Sequence, residues 1–262
     1  MGILNLTPDS FYDGNYNNSL KYYRNRYSLV ENADIIDVGA ESSRPGSKPI
    51  SEHIEIERLK VLSDLNIKDK FLSIDSYKSR IIKYCLDRNF SMINDISGGG
   101  PDYENIDIAN DYNVPICLMH MQGNPLNMQE SPKYDNLIDD ILKYFSKRIN
   151  YCNKIGFNMN NLIIDPGIGF GKTKNDNLKI ISNIYKFKEL GCKILIGLSR
   201  KSFLDIENDK PRDRLAQSLT MQSISVLNGA NIIRTHDVNE TIKSIVIINK
   251  YNLANGNSRI YK

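Results

Sequence analysis

The strongest constraint on the fold is a rhythm: eight short apolar runs, each followed by a longer stretch of mixed character and most of them closed by a polar residue. The runs are Gly2–Leu6, Ile35–Val38, Phe71–Ile74, Ser91–Ile93, Pro115–Met119, Leu162–Ile164, Lys193–Gly197 and Asn231–Ile233. They are continuous rather than alternating, as strands are when helices cover both faces of a parallel sheet. Helix-length segments separate them, including Ser51–Leu65, Tyr77–Asp87, Tyr134–Lys154, Asn177–Glu189, Arg212–Leu227 and Asn239–Tyr251. Within the first of these, Ile54, Leu59 and Leu62 recur at a rough helical period.

Eight β-then-α units in 262 residues predict an α/β fold, a TIM (β/α)8 barrel with its active site at the C-terminal ends of the strands. A doubly wound open sheet is the alternative, and it would spread the strand ends along a row. In a barrel the polar residues closing the runs meet at one mouth: Asn5, Asp37, Asp75, Asn94 with Asp95, His120, Asp165, Ser199 with Arg200 and Lys201, and Arg234 with His236. No Pro/Gly/Ser linker divides the chain, so residues 1–262 read as one domain.

Composition excludes several function classes. With 40% hydrophobic and 25% charged residues the chain is ordinary soluble material, and no run approaches the roughly 18 apolar residues of a membrane helix. The first residues are polar and tyrosine-rich, unlike a secretory leader, so a cytoplasmic enzyme with no membrane partner is expected. Cys85, Cys117, Cys152 and Cys192 are far apart, with no zinc-ligand spacing, and read as reduced structural thiols. A net charge of +3, with basic and acidic residues interleaved, argues against nucleic acid but suits a small anionic ligand.

The segment LIIDPGIGFGKT, Leu162 to Thr173, ends an apolar run in a carboxylate and then breaks into glycines. A phosphate-cradling P-loop would need a glycine where Pro166 stands, and proline has no N–H to offer. The segment therefore reads as a strand emptying into a ligand-binding loop that is not a P-loop. MGILNLTPDSF and DVGAESSRPG each end a strand in a turn-rich loop, the second carrying Ser42, Ser43 and Arg44. Asp75 and Asp165 have two readings: a helix N-cap, or a carboxylate accepting paired N–H donors of a heterocycle as it would accept a guanidinium.

MGILNLTPDSF, DVGAESSRPG, SIDSYK, INDISGG, CLMHMQGNP, LIIDPGIGFGK, GLSRKS and IIRTHDV, in this order, resemble the signature segments of the dihydropteroate synthase family, pterin-binding TIM barrels of folate biosynthesis. The resemblance runs from Met1 to at least Val238. It implies condensation of a dihydropterin methyl diphosphate with 4-aminobenzoate, with magnesium as cofactor, in a homodimer that is a sulfonamide target. By the family's pattern Asp165, Asn94 and Asp75 bond the pterin ring, Lys201 reaches its carbonyl side, and Met119 and Ile96 pack on its faces. Asn5 binds magnesium; Ser43, Arg44, Arg234 and His236 surround the diphosphate. Thr7, Pro8, Phe11, Arg44 and Pro45 complete a 4-aminobenzoate pocket whose fixed wall is Phe170, Ser199 and Lys201. The implied catalytic residues are Asp75, Lys201, Arg234 and His236, in a dissociative reaction without a nucleophilic side chain.

The sequence departs from that pattern at three points. It opens inside the first strand, where the family carries a preceding segment that helps close the barrel floor; Ser43 stands for the commoner threonine; Tyr12 and Asn15 change the first loop. Two rival readings follow: a methyltetrahydrofolate-dependent methyltransferase on the same barrel, and a pterin-binding protein without catalysis.

Overall fold

A computed structural model describes residues 1–7, 19–44, 46–65, 67 and 69–256. Its eight strands are β1 Gly2–Asn5, β2 Ile35–Gly39, β3 Phe71–Asp75, β4 Met92–Asp95, β5 Ile116–Met119, β6 Leu162–Asp165, β7 Lys193–Gly197 and β8 Ile232–Arg234. They pair in chain order, each parallel to the next. The ring closes between β8 and β1, where Ile3 N–H donates to the Thr235 carbonyl at 3.0 Å and Thr235 N–H to the Met1 carbonyl at 3.0 Å. The barrel is thus the observed fold, and the open sheet is excluded.

Around it lie α1 Ser19–Ser28, α2 Glu52–Leu59, α3 Val61–Leu65, α4 Ser79–Leu86, α5 Glu104–Asp111, α6 Leu137–Lys154, α7 Lys174–Ser182, α8 Ile184–Phe187, α9 Leu215–Asn228 and α10 Val238–Ala254. The segment read as one helix over Ser51–Leu65 divides at Lys60. There Ser63 turns both its N–H (3.2 Å) and its Oγ (2.7 Å) back onto the Lys60 carbonyl, competing with the α-helical ladder. Helix α7 starts earlier than periodicity suggests because Thr173 and Asp176 form a reciprocal capping box.

Side-chain alternation along the strands builds two cores. Outward residues such as Ile36, Ile74, Ile93, Leu118, Ile164 and Ile196 are fully buried beneath the helices. Inside the barrel, Met92, Cys117, Ile163 and Leu195 form a separate apolar cluster with Met1, Ile35 and Ile232 against it. Two residues further along six of these strands, on the same inward face, stand Asp37, Asn94, Met119, Asp165, Gly197 and Arg234. An apolar floor therefore carries a largely polar mouth.

Candidate active site

The polar residues that close the apolar runs belong to the ladder itself. Asp75 pairs in register with Asn94, Met119 with Asp165, and Gly197 with Arg234, so parallel-sheet hydrogen bonds fix their backbones. Gly39, beside Asp75 in the register, leaves the space that carboxylate uses: a Cβ there would stand 3.3 Å from Asp75 Oδ2.

Arg234 organises the ring. Its Nε donates to Asp37 Oδ2 at 2.6 Å and its terminal nitrogen to Asp75 Oδ2 at 2.5 Å. Asn94 Nδ2 donates to the same Asp37 oxygen at 2.9 Å. Asp37 is fully buried, and its Oδ1, like the neighbouring Ser73 hydroxyl, has no hydrogen-bond partner among the described residues. Burial pushes the Asp75 carboxyl up to about 7, although Arg234 pulls the other way. Burial also raises Asp165, against the pull of Lys201, and lowers the Lys201 ammonium to about 8.

Neither aspartate caps a helix. Helix α4 has Lys78 at its N-cap position without a side-chain cap, and α7 is capped by Thr173. Asp165 Oδ1 accepts from the Gly167 N–H at 2.7 Å, which shapes the following loop. That loop does not form a phosphate nest. The Gly169 N–H donates to Asn177 Oδ1 at 2.6 Å, and Lys172 points inward, its ammonium 3.1 Å from His120 Nδ1 and 2.9 Å from the Phe170 carbonyl. The glycines answer to protein rather than to a ligand face. A Cβ on Gly167 would meet the His120 carbonyl oxygen at 1.9 Å, one on Gly171 the Gln122 carbonyl oxygen at 2.7 Å, and one on Gly169 Lys201 Cδ at 3.0 Å.

Lys201 reaches over this loop, donating to the Ile168 carbonyl with its ammonium 4.4 Å from the Phe170 ring centroid. Ser199 Oγ lies 3.2 Å from His236 Nδ1, and burial pushes the His236 imidazole down to about 3, leaving it neutral. Asn5 is half-buried at the end of β1, and its side-chain amide has no hydrogen-bond partner among the described residues. A cavity of about 510 Å³ meets the ring at Asp75 and Ile96 and is walled by Glu41, Ser43, Tyr77, Met121 and Pro125. Met119 is buried, Thr7 half-buried, and Arg44 exposed, its N–H donating to Ser42 Oγ at 3.4 Å and its guanidinium without a partner among the described residues. Pro8, Phe11 and Pro45 lie outside the described residues.

Three residues expected at the mouth are directed elsewhere. Asp95, one position past inward-facing Asn94, faces outward and binds the Ser97 and Gly99 amides and Asn105. His120, one past Met119, packs edge-on against Tyr144 beside Lys172. Arg200 pairs with Asp237. Conversely, Asp37 is not among the residues that the family resemblance singles out, yet it carries the hydrogen bonds that position Arg234 and Asn94.

The chain matches the family model described as pterin binding enzyme over residues 1–236. It is 38% identical to the dihydropteroate synthase of Escherichia coli (strain K12), over 99% of this chain and 93% of that protein. Among solved structures it resembles Yersinia pestis dihydropteroate synthase in a sulfonamide drug complex, with a TM-score of 0.87 and 37% identity over 97% of this chain and 94% of that one. It also resembles Xanthomonas albilineans dihydropteroate synthase with 4-aminobenzoic acid, with a TM-score of 0.86 and 31% identity over 97% and 92% of the two chains. An eight-stranded barrel with aspartate, asparagine, lysine and arginine converging at its mouth, and relatives of one kind over nearly its whole length, place this chain in the dihydropteroate synthase family of pterin-binding enzymes, transferases of folate biosynthesis.

Proposed function

We propose that the barrel mouth condenses (7,8-dihydropterin-6-yl)methyl diphosphate with 4-aminobenzoate, giving 7,8-dihydropteroate and diphosphate. The observation that carries this reading is the Asp37–Arg234–Asp75 bridge beside Asn94, Asp165 and Lys201: three carboxylates, an amide and a fixed cation in one apolar-floored cup. The second oxygen of Asp165 is left to accept from a pterin amine, with Asn94 and Asp75 bonding the ring. Lys201 donates to its carbonyl side, and Ile96 and Met119 pack on its faces.

Breaking the methylene C–O bond sends an electron pair to the diphosphate, which Arg234 and Arg44 meet with charge, and Ser43 and His236 with hydrogen bonds. His236, held neutral, serves as an N–H donor rather than a cation. Asp75, when ionised, favours positive charge on the methylene. The aminobenzoate nitrogen then bonds to that carbon and gives up a proton. Lys201, Ser199 and Phe170 form one wall of its pocket, Thr7 and Arg44 belong to the other, with which the family pattern groups Pro8, Phe11 and Pro45, outside the described residues, and a sulfonamide competes there.

Magnesium fits as a substrate-borne ion. No group of three or more His, Cys, Asp or Glu among the described residues could hold a metal, whereas magnesium is commonly held by few protein oxygens plus substrate phosphates. Asn5 supplies such an oxygen, and the ion, when bound, neutralises charge on the leaving diphosphate.

No helix among the described residues is long and apolar enough to cross a membrane, and Cys85, Cys117, Cys152 and Cys192 are all free, as suits the cytoplasm. Helices α9 and α10 pack against each other and expose Ile224 and Leu227 on the one and Ile242, Val246, Ile247 and Tyr251 on the other, apolar surface suited to a second copy of the chain. We take residues 1–262 as one catalytic domain.

The test is direct: purified chain, pterin diphosphate, 4-aminobenzoate and magnesium should yield dihydropteroate and diphosphate. Tight pterin binding without product would reduce the protein to a binder.

A further inference from the structure

The loop after β2, residues 40–50, carries Ser43 and Arg44 and rests on the loop after β5, where the Gly46 N–H donates to the Pro125 carbonyl at 3.0 Å. Near the tip the Ser47 hydroxyl donates to the Ser42 carbonyl at 2.6 Å, and at the base its two stems are tied through Glu41 and Lys78. Glu41 Oε2, on the outgoing stem, accepts from the Ile50 N–H of the returning stem at 2.9 Å and from Lys78 Nζ at 2.5 Å. The same ammonium donates to the Ile50 carbonyl at 2.7 Å and to Glu55 Oε2 at 2.8 Å. Three donors meet three acceptors, so the Lys78 ammonium is saturated. Glu55 is fully buried, and its other oxygen accepts from the Ser76 hydroxyl at 2.9 Å. Burial works against the Lys78 charge, yet the bonds to Glu41 and Glu55 hold its pKa above the usual value. Lys78 lies three residues beyond Asp75, so the tie joins the loop to the strand end that carries the carboxylate.

We propose that Lys78 is a positioning residue that clamps both stems of the 40–50 loop, and through them places Ser43 and Arg44 over the leaving diphosphate. This rests on the reading that those two residues meet the diphosphate. Lys78 does not line the cavity beside Asp75, whereas its neighbour Tyr77 does. The effect of Lys78 is on the loop's closed population, so it acts on diphosphate capture and leaves pterin recognition by Asp165 and Asn94 alone.

Two variants test it. Lys78→Met removes the clamp and leaves Glu55 without its cation, bonded only to the Ser76 hydroxyl. Glu41→Gln, at a partly exposed site, removes the charged tie on the loop side and keeps the Lys78–Glu55 pair, so it remains informative if Lys78→Met folds poorly. Three measurements are made on the full chain: amide hydrogen exchange of residues 42–50, affinity for a pterin without diphosphate, and the kinetics of condensation. The proposal expects exchange faster by about 10-fold or more, KM for the pterin diphosphate raised by a similar factor and, for Lys78→Met, whose side chain does not line the cavity, bare-pterin affinity within 2-fold of wild type. Unchanged loop exchange in folded variants overturns it, as does a parallel loss of bare-pterin affinity. Because exchange needs no turnover, it judges the clamp even if wild type makes no dihydropteroate. Ser43→Ala and Arg44→Ala, measured alongside, judge the diphosphate reading separately.

Discussion

Replacing Asp75 by asparagine should remove activity and, at alkaline pH, add stability. The Asp75 carboxyl is raised from its ordinary 3.8 to about 7, first by burial and against the pull of Arg234. It therefore binds a proton more readily in the folded protein than in the unfolded chain, and its ionisation opposes folding. That cost is absent below pH 3.8 and complete above pH 7. At 1.36 kcal/mol per pH unit the interval corresponds to about 4 kcal/mol. Water reaches the group, since 14% of the side chain is exposed, so about 2–3 kcal/mol is the working figure. Asparagine keeps an acceptor for Arg234 without the charge. Urea unfolding of wild type and Asp75→Asn at pH 5 and pH 8 measures the effect. The variant should be the more stable by about 2–3 kcal/mol at pH 8 and by less than half of that at pH 5, while kcat falls about 100-fold or more. A stability difference that is the same at both pH values would refute the reasoning, because it would show that the carboxyl does not titrate between them.

Arg234→Met leaves Asp37 and Asp75 facing each other without their cation. It should destabilise the fold by about 3–5 kcal/mol at pH 8, less at pH 5 where Asp75 takes up a proton, as read by the same unfolding series. Gly167→Ala puts a Cβ 1.9 Å from the His120 carbonyl at a backbone φ of +74°. A loss of at least about 2 kcal/mol and weakened pterin binding should follow; a variant with wild-type unfolding would show that the loop can move aside without cost.

Most of the barrel is legible in the sequence because buried parallel strands are apolar runs, and each strand lies within two residues of its run. The strand ends are less legible. Asp75, Asp95, Asp165 and Arg234 break the apolar pattern yet are the last ladder positions, since backbone hydrogen bonding does not depend on side-chain polarity. Helix α1, SLKYYRNRYS, has too little apolar character to announce itself, and α5 is a short ENIDIAND. Which strand-end residues face inward follows from the two-residue period once the register is known, and this is why Asn94 reaches the mouth while Asp95 turns away. The Asp37–Arg234 bond joins residues 197 positions apart, and no local pattern encodes it. Gly171-Lys172-Thr173 matches the end of a P-loop pattern, but burial and three carbonyl and imidazole contacts make Lys172 a strut between the loops after β5 and β6.

The central claim is that the polar ring above the apolar floor recognises a pterin, with Asp165 as its principal acceptor. Calorimetric titration of a pterin into wild type and Asp165→Asn tests it most directly. The account predicts that binding weakens by about 10-fold or more, because one acceptor and a charge facing paired N–H donors are lost. Unchanged affinity would leave Asp165 with only its bond to the Gly167 amide and would contradict the account.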